Sequence, residues 1–409
     1  MFFTIGGHKV IRSGFYRDPD LDYQTRGALG RAVRGAGEVG EVLATVAAIS
    51  RRSQWPAAWQ RTAVRAQAEA AKARGAGHLV SARSGYLRAA TYWSCVVDGL
   101  TSKPDSAEML TAFHNHRRCW DDFVDCSQGA HQRVSVPCGS TSLPGYLLRP
   151  DASGARRPTL IVTNGSDGAI SDLWGAAAAG ALDRGWNAFL FDGPGQQSML
   201  FDSHTHFRPD WEAVLTPVID TLIARDDVDA DRLTGYGISQ GGFWLPRALA
   251  HEHRLVAAVA DPGVVDLSAS WTKSLGGSMN ASLEKGDRAA FNRGMELATR
   301  IPSLRRTLTA RARPYSHGDW FDLYTSIAQY RIDEAQAAAI TTPVLATDPD
   351  DEQFWPGQSR RLVEMVRAGG GQAELVRFTA GEGANFHVQP MGRLLTENRM
   401  FDWLEEHVH

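Results

Sequence analysis

Leu233-Thr234-Gly235-Tyr236-Gly237-Ile238-Ser239-Gln240-Gly241-Gly242 decides the reading of this chain. Residues 233–238 read as a buried strand and residues 243–251 as a helix. A serine between them sits on a tight, strained turn, and its neighbours must be small to leave room. A bare Gly-x-Ser-x-Gly is common by chance. Between a strand and a helix it reads as a nucleophile elbow that exposes Ser239 at the end of the strand. The helix that follows aims backbone N–H groups at a developing oxyanion, so the amide of Gln240 is one expected donor. A solvent-facing serine on a Gly-rich turn is the competing reading.

A serine hydroxyl is a poor nucleophile until a base removes its proton. Around such an elbow the partners follow in the order serine, acid, histidine. The acid belongs on the loop Thr347-Asp348-Pro349-Asp350-Asp351-Glu352-Gln353-Phe354-Trp355-Pro356, which follows a strand at 344–346. Register against Pro343-Val344 and Pro356 selects Glu352. Asp351 is adjacent and of the commoner type, so it stays open as the alternative acid. After a strand at 374–378 comes Gly381-Glu382-Gly383-Ala384-Asn385-Phe386-His387, then a helix at 394–407. His387 is where the base must be, with the carboxylate fixing its tautomer and stabilising the imidazolium. A second oxyanion donor is expected from the loop Asn164-Gly165-Ser166-Asp167-Gly168, at the amide of Ser166. Asp167 is a candidate proton donor or substrate contact if burial raises its pKa; the alternative is a turn aspartate in solvent.

Outward from these motifs the chain divides. Residues 26–49, 55–73 (with Ser53 as N-cap), 78–97 and 107–126 have helical composition or spacing. Tyr86, Trp93 and Trp120 are aromatic candidates for lining a pocket, with core packing as the plainer fate of each. A hairpin follows, 133–137 and 143–148 across Gly139-Ser140-Thr141-Ser142. Then strands at 159–163, 188–191, 233–238, 256–260, 344–346 and 374–378 alternate with helices at 173–184, 210–225 and 243–251. That rhythm implies an α/β fold with a mostly parallel sheet. We expect a helical cap over residues 1–130, a core in two parts (131–265 and 333–409), and a helical insertion at 266–332. The insertion is placed where a lid could sit; a peripheral decoration is the alternative.

The 409 residues carry a formal net charge of −3, so no global field would recruit nucleic acid or an anionic membrane. The N-terminal MFFTIGGHKVIRSG lacks the pattern of a secretory signal, and no apolar run is long enough to span a bilayer. Cys95, Cys119, Cys126 and Cys138 match no zinc spacing and read as reduced thiols of a cytoplasmic protein. His204-Thr205-His206 suggests no third metal ligand, so neither metal nor cofactor is expected. The expected partner is a small-molecule substrate, not nucleic acid or a membrane, and a homodimer is left open.

Several stretches together resemble the α/β-hydrolases with an N-terminal helical domain, a group that includes dihydroxypseudooxynicotine hydrolase and fungal polyketide-shortening hydrolases. They are Gly77-His78, Ser81-Ala82-Arg83, Tyr86-Leu87-Arg88-Ala89, Leu143-Pro144-Gly145-Tyr146, Asn164-Gly165-Ser166-Asp167-Gly168, Phe191-Asp192-Gly193-Pro194-Gly195-Gln196 and Arg208-Pro209-Asp210-Trp211-Glu212, besides the elbow. The resemblance implies a serine nucleophile at Ser239 and a histidine base at His387. It also implies acyl-bond hydrolysis, of an ester or of a carbon–carbon bond beside a ketone, in secondary metabolism. Departures are Glu352 in place of the usual aspartate, Gln197 for a common glycine, and Val388 for a common cysteine. Acyl transfer or cyclisation through the same acyl-enzyme, and a non-catalytic binding protein on this scaffold, are the competing classes.

Overall fold

The alternation after residue 130 builds one eight-stranded sheet in a computed structural model that describes residues 14–408. The reading of the N-terminus as lacking a signal falls almost wholly outside the described residues. The strands are β1 (His131–Cys138), β2 (Thr141–Leu148), β3 (Arg157–Thr163), β4 (Asn187–Phe191), β5 (Val228–Ile238), β6 (Ala257–Asp261), β7 (Val344–Pro349) and β8 (Ala373–Phe378). Their order is β1-β2-β4-β3-β5-β6-β7-β8, antiparallel at β1–β2 and β2–β4 and parallel elsewhere. The hairpin turn is tighter than the sequence suggests. Cys138 already pairs with Thr141, so Gly139 (φ 59°) and Ser140 alone make the turn.

The central strands are apolar on both faces because helices cover both. Successive side chains alternate between the two cores. Leu160, Val162 and Leu190 join the core formed with the N-terminal helices and the C-terminal helix Arg393–Glu405. Ile161, Phe189 and Phe191 join the opposite core, with helices Glu212–Ile223, Gly241–Leu249 and Gln358–Ala368.

The N-terminal helices are α1 (Pro19–Gly30), α2 (Val39–Ala47), α3 (Trp55–Gly75), α4 (Leu79–Leu100) and α5 (Ala107–Asp125). The continuous helix read at 26–49 is broken. A 3₁₀ turn, Arg31–Arg34, ends at Gly35, whose φ of 71° is left-handed. Ser53 is not the cap of α3 but lies in the 3₁₀ turn Arg52–Gln54. The side chain of Gln54 accepts from the amides of Ser50 and Arg51 instead, at 2.9 Å each. The helix read at 173–184 opens with a π turn, Trp174–Ala178. Tyr86, Trp93 and Trp120 are buried in the helical core, with Trp120 against Phe123 and Tyr146.

Residues 266–332 fold back on themselves through helices Gly277–Glu284, Arg288–Ala298, Pro302–Ala312 and Trp320–Ile327. A backbone bridge between Asp266 and Arg331 closes the base of the insertion, flanked by the Ile332 amide donating to the Val265 carbonyl at 2.8 Å.

The segment from α1 through the following 3₁₀ turn lies across the loop that carries His387. The Tyr23 hydroxyl donates to the His387 carbonyl at 3.0 Å, and Arg26 lies over the Phe386 ring. Arg31 pairs with Asp172 at 2.7 Å, and Arg34 pairs with Glu397 and Asp183. Gly30 allows the closest approach, since a Cβ there would stand 1.7 Å from the carbonyl oxygen of Pro390.

Two substitutions on α1 test this seating. Gly30→Ala must push backbone against backbone, a kind of overpacking that costs about 1–3 kcal/mol. Gly27 has open space around it, so Gly27→Ala should stabilise by up to about 1 kcal/mol. Denaturant unfolding of both variants checks the contrast. Equal effects would mean that α1 does not press on the His387 loop.

Candidate active site

At the end of β5 the chain turns through Ser239 with φ 56°, a left-handed conformation uncommon for a non-glycine residue. The turn is pinned by the Ser239 amide donating to the Asp261 carbonyl at 2.6 Å. Its glycines are demanded by close approach. A Cβ on Gly237 would stand 2.2 Å from the Gly241 carbonyl oxygen, and one on Gly241 2.3 Å from that of Thr163.

Ser239 Oγ lies 2.9 Å from His387 Nε2, and His387 Nδ1 lies 2.8 and 3.0 Å from the two carboxylate oxygens of Glu352. A carboxylate only accepts, so Nδ1 carries the proton and Nε2 is left to accept from the serine. The imidazole is almost fully buried, flanked by the rings of Phe354 and Trp355. Burial pushes the Glu352 carboxyl up. The charge and hydrogen bond of His387, with the amides of Phe354 and Trp355 at 2.9 and 3.2 Å, outweigh it and hold the group below its ordinary range. Glu352 is thus held ionised beside the histidine.

The alternative acid lies elsewhere. Asp351 is exposed, and its carboxylate accepts from the side-chain amide of Asn385, not from His387. Asp348 and Asp350 pair with Arg360 and Arg377. β7 ends at Pro349, and the Glu352 amide donates back to the Pro349 carbonyl at 3.2 Å, so a turn brings Glu352 to the histidine while the adjacent Asp351 stays in solvent.

The loop at 164–168 lies over the elbow. A Cβ on Gly165 would come 2.9 Å from the Ser239 Cβ. Asn164 curls the loop, accepting from the Gly165 amide at 2.8 Å and donating to the Gly168 carbonyl at 2.6 Å. Two glutamines bind it by its carbonyls. Gln196 Nε2 donates to Asn164 and Gly165 at 2.8 and 3.0 Å, and Gln197 Nε2 donates to Asp167 at 2.8 Å. The Gly193-Pro194-Gly195 turn is therefore a brace for this loop, itself anchored where buried Asp192 pairs with Arg117 of α5. Among the described residues the amides of Ser166 and Gln240 have no protein acceptor. Of the two sequence readings of Asp167, the placement fits the aspartate in solvent. It is exposed and accepts from the Ser166 hydroxyl at 3.2 Å, so the burial that proton donation requires is absent.

Sequence reasoning missed Asp261. Its fully buried carboxylate accepts from Tyr236 of β5 at 2.7 Å, Thr347 of β7 at 2.5 Å and Gln389 beyond His387 at 3.0 Å. Arg393 stands 3.3 Å away. The signal was a carboxylate at the end of an otherwise apolar strand, read as stopping one residue short. Tyr23 was missed because nothing in sequence links it to a loop hundreds of residues away.

No family model matches the chain. Hydrolase LUC6 of a Fusarium species is 29% identical, over 98% of both chains. The 20-hydroxy-prefusarin hydrolase FUS2 of Gibberella moniliformis is 27% identical over 97% of both. The alpha/beta hydrolase psoB of Aspergillus fumigatus is 31% identical over 68% of this chain and 64% of its own. The crystal structure of 2,6-dihydroxy-pseudo-oxynicotine hydrolase superposes with a TM-score of 0.70 at 18% identity, covering 93% of this chain and 95% of that one. AbyA5 gives 0.59 at 16% identity, with coverages of 86% and 89%. The chain is an enzyme, a hydrolase of the α/β-hydrolase fold with N-terminal helices, and it resembles LUC6 and FUS2 along nearly its whole length. Among the described residues no helix is long and apolar enough to cross a membrane.

Asp261→Asn should be strongly destabilising, because it sets an amide N–H₂ among donors and leaves Arg393 without its charge partner. Breaking a buried pair costs about 3–5 kcal/mol. Denaturant unfolding reads the loss; a variant as stable as the parent would show that the network closes without the carboxylate.

Proposed function

We propose that the chain is a serine hydrolase that cleaves an acyl bond of a small aromatic or polyketide-type molecule, with Ser239 as nucleophile, His387 as base and Glu352 as acid. The unbroken line of hydrogen bonds from Ser239 Oγ through the imidazole to the Glu352 carboxylate carries this reading. His387 takes the serine proton as Oγ attacks the carbonyl carbon, and Glu352 stabilises the imidazolium that results. The unengaged amides of Gln240 and Ser166 hold the oxyanion of the tetrahedral intermediate, usually the largest single contribution in such a site. His387 returns the proton to the leaving group, and water repeats the sequence on the acyl-enzyme.

The substrate class is supported by the names of two similar proteins, one a 20-hydroxy-prefusarin hydrolase and the other a 2,6-dihydroxy-pseudo-oxynicotine hydrolase. The bond cleaved is an ester or a carbon–carbon bond beside a ketone. Asp167, exposed next to Ser166, is assigned to substrate contact and not to proton donation. Four buried free thiols suit the reducing cytoplasm.

Ser239→Ala should fold normally and lose covalent labelling by a fluorophosphonate; labelling that persists would remove the assignment. Glu352→Gln should lower turnover by about 10⁴, as when a triad histidine loses its orienting carboxylate. Asp351→Asn should change turnover only severalfold, and a damaging effect there would reverse the choice of acid.

Asp167→Asn should affect an activated aryl ester and a β-diketone alike. A loss confined to the ketone, of the roughly 10² to 10⁴ that general-acid assistance supplies, would restore the proton-donor role.

A further inference from the structure

Arg311, on helix Pro302–Ala312 of the insertion, is half-buried and differs from other arginines of the interior. Arg31, Arg117, Arg149 and Arg393 each pair with a carboxylate. The guanidinium of Arg311 instead lies over the Trp271 ring, 4.4 Å from its centroid, and donates to the Ser270 hydroxyl at 3.0 Å. Among the described residues no carboxylate is paired with it. The charged group nearest in effect is Asp167, beyond ion-pair contact, and Tyr315 and Tyr324 complete its surroundings. Burial, though partial, works against the charge of the guanidinium, and no carboxylate contact offsets it.

This cation stands beside the elbow. Trp271 packs edge-on against Tyr315, whose hydroxyl reaches the Gln240 side-chain oxygen at 3.4 Å. The other end of that side chain, Gln240 Nε2, is buried with no acceptor. Asp167, whose charge Arg311 feels, belongs to the loop over Ser239. A cation without a carboxylate contact and an amide without an acceptor are thus linked through Trp271 and Tyr315.

Resting on the hydrolase reading above, we propose that Arg311, with the Gln240 side-chain amide, binds an anionic oxygen group of the acyl substrate, a carboxylate or an ionised β-dicarbonyl. The planar guanidinium presents paired N–H groups matched to two oxygens of such an anion. The insertion then selects acidic acyl compounds over neutral ones of the same size.

The test uses fluorophosphonates whose chains, over a series of lengths, end in a carboxylate, a β-diketone or a neutral methyl ester. The measurement is the ratio of labelling rates, anionic over neutral. The full-length protein should give a ratio of about ten or more at one chain length, as a charge-assisted hydrogen bond provides. Arg311→Gln should bring that ratio towards one, and Arg311→Lys should keep part of it. If the glutamine variant fails to fold, the lysine variant and the parent still report the ratio. A preference for the carboxylate or for the β-diketone identifies which anion is bound. A ratio near one at every length, or one unchanged in Arg311→Gln, overturns the anion site while leaving Ser239 as nucleophile. Absence of labelling by every probe would instead overturn the serine reading and this inference with it.

Discussion

The buried carboxylate of Asp261 is the point on which the rest of the site depends. Three segments that supply the triad come from distant parts of the chain, and each meets Asp261: β5 through Tyr236, β7 through Thr347, and the loop after β8 through Gln389 and Arg393. Its backbone carbonyl holds the Ser239 amide as well. A buried charge is tolerated only when its lone pairs are filled and a counter-charge is near. Any displacement of one segment would leave that charge short of a partner. The same requirement that burial imposes on Asp261 thus fixes serine, acid and histidine relative to one another.

A division of labour follows around this centre. Glutamine side chains hold the oxyanion loop by its carbonyls and so leave amides for a ligand. The N-terminal helices reach the same sheet edge through charges: Arg31 to Asp172 and Arg117 to Asp192. The insertion reaches it through Tyr315, whose hydroxyl donates to the Gln240 side chain and whose ring packs on Phe207 of the core. The site is therefore enclosed by elements that contribute no triad residue.

What was legible in the sequence was whatever depends on neighbours along the chain. The elbow announces itself because its glycines and serine stand together between a strand and a helix, although only Gly237 answers a neighbour in sequence and Gly241 answers Thr163. Glu352 was preferred to Asp351, which stayed open, because the spacing between Pro343-Val344 and Pro356 matches a pattern of hydrolases built around such an elbow. The parallel strands were found as apolar runs, with ends misjudged by a few residues. Contacts across the fold left no local trace. The carboxylate of Asp261, the hydroxyl of Tyr23 and the guanidinium of Arg311 acquire meaning only from partners brought in by tertiary structure. The helix at 26–49 was misread for a related reason. Its composition favours helix throughout, and the break at Gly35 serves the crossing of the His387 loop, a constraint outside that segment.

The seating of α1 has a bearing on how the molecule is made. Synthesis delivers Tyr23, Gly30 and Arg34 hundreds of residues before the groups they dock on, the His387 carbonyl, Pro390 and Glu397. Until the loop that carries His387 emerges, α1 can pack with the other early helices through Leu21 and Ala28 but lacks its seat on that loop. The histidine arrives at nearly the same moment as the surface that holds it. A nascent chain therefore carries its serine without its base until the loop after β8 has been made, and the hydrolytic centre closes in the same step that docks α1 on that loop.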